Sequence, residues 1–144
     1  MNVEIQEGFA ELEVIIRCPE ATEDIRRMVQ LLQTSEQRLS GTKDGTTHLI
    51  DKQDILYFES VDKRCFIYTT DEVYETPLKL YEIEEMLTSQ GFFRSAKSQI
   101  LNIARVTSLC PDFGGRLEVV LDDGEKLIVS RQYARLLKER LCLR

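Results

Sequence analysis

Histidine occurs once in this 144-residue chain, at His48. A Ser-His-Asp or Cys-His catalytic arrangement would have to use it. It sits just past a hairpin turn in "DGTTHLID", where an exposed or half-buried strand histidine is the simpler reading. The four cysteines, Cys18, Cys65, Cys110 and Cys142, lie far apart and form no CxxC pair. A zinc site would need a scattered ligand set, so free cytosolic thiols are the plainer account. Neither GxxxxGK[ST] nor GxGxxG occurs, and "FGGR" is too short to cradle a phosphate and reads as a turn. Asp122, Asp123 and Glu125 stand without the other positions of a calcium loop. No apolar run approaches the roughly 20 residues of a membrane span, and the first residues lack the basic and apolar regions of a signal peptide. The expectation is a cytoplasmic protein with no catalytic site, metal or cofactor.

What is present suits one domain with one substantial core. The net charge is −6, which taken alone argues against a nucleic-acid partner. Its distribution argues otherwise. Residues 1–91 hold 9 Lys+Arg against 19 Asp+Glu, a balance of −10, whereas residues 92–144 hold 10 against 6, a balance of +4. A basic final third on an acidic body fits an anion-binding surface, and also an ordinary solvated face.

Along the chain, "ELEVIIR" (residues 11–17) reads as a strand stopped by Pro19. "ATEDIRRMVQLLQ" spaces Ile25, Met28, Val29 and Leu32 as an amphipathic helix with Thr22 as N-cap. "QRLSGTKDGTTHLID" reads as a hairpin turning at Asp44-Gly45. From residue 54 the texture is β-rich: "DILYFES", "CFIYTT" and "VYET" are strands. Thr76-Pro77 would open a helix with Leu80, Ile83 and Leu87 inside and Gly91 just past its end. "ILNI", "RVTSLC", "RLEVVL" and "KLIVS" are further strands, the last two joined across Asp122-Asp123-Gly124-Glu125. "SRQYARLLKERL" closes as a helix capped by Ser130, with Tyr133, Leu136, Leu137 and Leu141 on one face. The fold class is mostly β with short helices (α+β), seven to ten short strands and three helices. Residues 1–45 form a βα extension and 46–144 the main domain.

Three junctions could face a nucleic acid, which needs cations for phosphates and planar or amide groups for base edges. They are Asp62-Lys63-Arg64-Cys65, Arg94-Ser95-Ala96-Lys97-Ser98-Gln99, and Ser130-Arg131-Gln132 with Arg135 one turn on. Each taken singly also reads as a solvated loop. No long recognition helix is evident, so loops on a β scaffold would do the reading. The face of the helix at 22–33 is either core or a surface for a second copy or a partner.

Residues 46–141 resemble the LytTR DNA-binding domain of bacterial transcription regulators, through "DILYFES", "FFRSAKSQILNIARV" after a short helix ending at Gly91, and "GEKLIVSRQYARLLKERL". The resemblance implies an elongated, multi-stranded β fold whose loops enter successive major grooves of double-stranded DNA, often at direct repeats. It implies that Arg131 contacts bases, and that Lys97 occupies a base-contacting position that is usually Asn. Cys65, or its neighbour Arg64, matches a loop position that is His in some members. Asn102 matches a near-constant Asn, read as ordering the recognition loop. Lys for Asn at 97 would shift preference from adenine toward guanine or phosphate. The base-contact candidates are therefore Arg64, Cys65, Lys97 and Arg131. Lys63, Arg94, Ser98 and Arg135 are phosphate candidates, with Lys63 also close enough to share in recognition. Residues 1–45 are too short for a receiver domain. Similar stand-alone regulators are often held by a small membrane-protein inhibitor, which would sequester the protein at the membrane. A Cys65 thiol beside a binding loop would make affinity redox-sensitive. The competing class is a protein-interaction or anti-regulator module with no direct DNA binding.

Overall fold

The computed structural model describes residues 1–143, and the side chains of all of these except 34–37. Arg144, the last residue of the expected main domain, lies outside the described residues. The chain divides into two units, Met1–Thr34 and Ser35–Arg144. The division falls before the expected boundary at 45/46 because β1 (Arg38–Lys43) pairs with both β2 (Thr46–Asp51) and β5 (Val73–Thr76). Those two ladders tie the first hairpin to the larger unit.

In the first unit, residues 11–17 form no strand. The alternation of Leu12 and Val14 is real, but a strand needs a ladder, and these residues pair with no strand among the described residues. Helix α1 (Glu23–Gln37) does form. The Thr22 hydroxyl accepts from the Ile25 N–H at 3.4 Å and the Thr22 carbonyl from Arg26 N–H at 3.0 Å, as an N-cap should. Met28, Val29 and Leu32 on its apolar face are exposed.

The second unit is built on a seven-stranded antiparallel sheet in the order β2-β1-β5-β4-β3-β7-β6. Its remaining strands are β3 (Ile55–Val61), β4 (Arg64–Thr69), β6 (Phe92–Ala96) and β7 (Gln99–Asn102). A second sheet, β10-β9-β8, comprises β8 (Val106–Pro111), β9 (Leu117–Leu121) and β10 (Lys126–Val129). Two further helices, α2 (Leu80–Leu87) and α3 (Arg131–Arg140), complete it. The ten strands and three helices among the described residues match the expected mostly-β class.

Both faces of the large sheet are covered, so its central strands carry near-continuous apolar runs. Phe58, Ile67, Phe92 and Ile100 face one core with Leu80, Ile83 and Leu87 of α2. Leu56, Tyr57, Phe93 and Leu101 face a second core with Val119, Leu121 and Val129 of the small sheet and Ala134 and Leu137 of α3. Adjacent residues such as Phe92 and Phe93 thus serve opposite cores, as the period of two dictates. Leu136, expected on the buried face of α3, is exposed, because Ala134 and Leu137 centre that face instead.

The start of α2 also differs from the expectation. Thr76 ends β5 and is buried; its hydroxyl accepts from the Leu78 N–H at 3.3 Å. The helix begins three residues later, at a capping box in which the Glu82 carboxylate accepts from the Lys79 N–H at 3.1 Å. Gly91, at φ 88°, makes the left-handed turn into β6.

Candidate nucleic-acid interface

The strand directions bring three junctions to one end of the second unit. β3 and β4 are joined by Asp62-Lys63, a two-residue turn with both residues left-handed, at φ 50° and 66°. Such turns match the twist of a hairpin and favour Gly at the second position. Here that position is Lys63, which holds an exposed cation at the tip at a cost of about 1–2 kcal/mol for the left-handed backbone. β7 runs antiparallel to β3, so the Lys97-Ser98 turn between β6 and β7 emerges at the same end. The Ser60 N–H donates to the Ser98 carbonyl at 2.8 Å, fixing the two tips side by side. The Ser130 N–H donates to the Ser95 carbonyl at 3.3 Å, which places the start of α3 beside the same turn.

Arg131 is the first residue of α3 and is exposed. Its side chain lies over Gly115 in the turn Phe113–Gly115. A Cβ on Gly115 would come within 3.2 Å of the Arg131 Cγ, so the glycine gives the arginine its bed. Among the described residues, no side chain pairs with the cations of Lys63, Lys97 or Arg131. Arg135, exposed on the next turn, meets Glu139 at 3.5 Å in a solvated pair, which holds it weakly. Lys63, Lys97, Ser98, Arg131 and Arg135 thus share one exposed end.

Three of the expected contacts, Cys65, Arg64 and Arg94, are buried or engaged within the chain, and the expected loop-ordering Asn102 acts elsewhere. Cys65 is 5% exposed and faces the first core with Phe58 and Ile67. The tight turn makes residue 64 the first of β4, so the side chain at 65 points inward. Arg64 points outward but forks onto Glu75 of β5, at 2.8 and 2.6 Å, and stacks over Phe66. Arg94 and Ser95 belong to β6 rather than to a loop. The Arg94 guanidinium donates to the Ala96 carbonyl at 2.8 Å and to the Lys97 carbonyl, and meets Glu84 at 3.6 Å. It staples the turn that presents Lys97. Ser95 is fully buried, its hydroxyl donating to Gln99 Oε1 at 2.9 Å. Asn102 lies at the far end of β7 from that turn. Its Nδ2 donates to the Ile55 carbonyl at 2.8 Å, and its Oδ1 accepts from the Ala104 N–H at 3.1 Å. The segment it orders is therefore the turn Ile103–Arg105, and Arg94 and Ser95 order the one at 97–98.

Burial pushes the Cys65 thiol up to about 11. The folded protein favours the protonated thiol, so this contribution to stability is intact below the ordinary thiol value and is lost as pH climbs toward about 11. Cys65 should accordingly alkylate with iodoacetamide far more slowly at pH 8 than the exposed Cys18, Cys110 and Cys142. Peptide mapping checks this, and equal rates in the folded protein would contradict the burial. The same burial removes the thiol as an accessible redox handle beside the interface.

The other end of the strands is acidic. Asp51, Asp54, Asp71 and Glu72 line a cleft there with Arg105. Arg105 is itself tied down by Asp122 at 2.9 Å and by the Gln53 carbonyl and Thr70 hydroxyl, both at 3.2 Å. The net negative charge is compatible with a cationic end, because residues 1–34 alone hold 3 Lys+Arg against 7 Asp+Glu, a balance of −4 out of −6.

Partner-free cations on the turns of a two-sheet β fold are the groups a nucleic-acid-facing surface needs. The chain belongs to the LytTr DNA-binding domain family, whose sequence model matches residues 45–142, and it is a bacterial DNA-binding transcription regulator. Uncharacterized HTH-type transcriptional regulators from two Staphylococcus aureus strains, NCTC 8325 and COL, are each 26% identical to it over 145 residues, covering 99% of this chain and 98% of theirs. A solved LytTr DNA-binding domain from Bacillus cereus shares the fold with a TM-score of 0.70 at 22% identity, covering 73% of this chain and 96% of that one. Despite the wording of the relatives' names, strands separate every pair of successive α-helices among the described residues here.

Proposed function

We propose that this regulator reads the major groove of double-stranded DNA through three turns, with no catalytic step. Lys63, Lys97 and Arg131 reach base edges, and Ser98 and Arg135 hold phosphates. The observation that carries the reading is the alignment of three partner-free cations by the Ser60–Ser98 and Ser95–Ser130 backbone bonds. Arg131 is the strongest base reader, since a guanidinium fork fits guanine O6 and N7 while an ammonium is a point charge. Arg64 and Arg94 serve as struts, by their intramolecular partners.

The reading extends to the protein's setting. It places the regulator in the cytoplasm, on direct repeats, one copy per repeat. The extension's exposed Met28, Val29 and Leu32 support a surface for a second copy or for a small membrane-protein inhibitor. The expected division at 45/46 is retained only as the start of the family-matched segment.

Selection of bound duplexes from a random pool, followed by a salt titration on the winner, tests the proposal. A recurring motif should emerge. Affinity should fall as salt rises, with a log K against log salt slope of about −0.9 for each phosphate that a cation neutralises. A pool that enriches no motif, or a slope near zero, would assign the basic end to a protein partner instead.

A further inference from the structure

The turn Phe113–Gly115 carries a feature that the three basic junctions leave unexplained. Phe113 is 86% exposed, in a unit where Phe58, Phe92 and Phe93 are buried and Phe66 is half-buried. Its position is fixed. The Asp112 N–H donates to the Arg116 carbonyl at 2.8 Å, and Arg116 Nε donates back to the Phe113 carbonyl at 3.0 Å. Arg116 also meets Asp112 at 3.7 Å. Gly114 and Gly115 are both left-handed, at φ 73° and 83°, a pairing that only glycines take up without strain. A braced turn is an expensive way to hold an aromatic ring in water, since exposing it forfeits the gain of burial.

The turn is also placed. Gly115 lies directly beneath the Arg131 side chain, and Leu117, where the chain re-enters β9, pairs with Val129, one residue before the Ser130 cap. Phe113 is therefore presented beside the residue that reads a base edge. A major groove about 12 Å wide admits both side chains, and the group there that an aromatic ring recognises is the C5-methyl of thymine.

We propose that Phe113 is a specificity-determining residue that packs on a thymine methyl next to the base pair read by Arg131. This rests on the DNA-reading proposal and adds an apolar reader to a set otherwise made of cations. It also gives Gly115 a double role, holding the arginine above and steering the ring beside it.

The test uses the duplex recovered by selection, with each thymine replaced singly by uracil, which lacks only the methyl. Wild-type protein should lose about fourfold in affinity at one thymine, the worth of about one buried methyl. Phe113→Ala should bind the parent duplex weaker by a similar factor, show no thymine–uracil difference at that position, and keep the wild-type salt slope. Phe113→Leu should restore part of the difference. Unchanged thermal unfolding of Phe113→Ala confirms that the loss is one of contact. The proposal is overturned if Phe113→Ala retains every thymine–uracil difference or binds the parent duplex as wild type does. A wild-type protein that fails to prefer the selected duplex over random DNA overturns the DNA-reading proposal itself, a distinct outcome.

Discussion

Arg131→Ala should weaken binding to the selected duplex by about 5- to 150-fold, equivalent to about 1–3 kcal/mol for one bidentate base contact. Binding to random duplex should fall only by the share of one cation. The size follows from the arginine's situation. Its guanidinium has no intramolecular partner among the described residues, so truncation leaves no buried group unpaired and the whole effect appears in the complex. Preference at one base pair should relax, because alanine has no hydrogen-bonding side-chain group to read a base edge. Thermal stability should stay at the wild-type value. Fluorescence anisotropy on matched specific and random duplexes makes the measurement, and equal losses on both would remove Arg131 from base reading and leave it a phosphate contact.

Asn102→Ala should produce the opposite profile, a large loss of stability with the recognition surface intact. Asn102 is 3% exposed and makes two bonds, a buried one to the Ile55 carbonyl and a part-buried one from the N–H of exposed Ala104. Truncation strands the buried Ile55 carbonyl, while water can take the Ala104 N–H, at a cost of about 1–3 kcal/mol. In urea the midpoint should fall with the slope unchanged. At low temperature, the folded fraction should bind the selected duplex as tightly as wild type. The reasoning is geometric: the bonds of Asn102 secure the start of β3 and the turn Ile103–Arg105, at the end of β7 remote from Lys97. A folded variant with sharply weaker binding would show instead that the order imposed by Asn102 reaches the recognition turn.

Together the two variants separate contact from support, a distinction the sequence expressed unevenly. Turn chemistry was plain to read where a glycine marked it. Asp44-Gly45 and Gly124 delimit the hairpins as expected, and the spacing of Leu80, Ile83 and Leu87 identifies the buried face of α2. The segment 92–98 was harder, because its polar residues satisfy one another. Arg94 donates to carbonyls of its own turn and Ser95 to Gln99, so a run that looks like a solvated loop is mostly strand. Cys65 was misplaced because the β3–β4 connection was read as four residues long. Alternation of Cys65 and Ile67 inward against Arg64 and Phe66 outward carried the correct register. Residues 11–17 show the reverse failure: a strand pattern whose partner no local rule supplies. Phe113 left almost no trace, since an aromatic beside two glycines reads as turn punctuation until the position of Arg131 is known.

A net negative chain with cationic turns has a kinetic consequence. With a net charge of −6, the chain as a whole is repelled by DNA, and only encounters that bring the cationic tips within a Debye length, about 8 Å at physiological salt, turn attractive. Most collisions in other orientations end without capture. On the proposed reading, residence on random sequence should be brief and one-dimensional sliding short. A regulator with that profile should leave little of itself on random sequence, so its occupancy of the selected duplex should respond quickly to a change in its concentration.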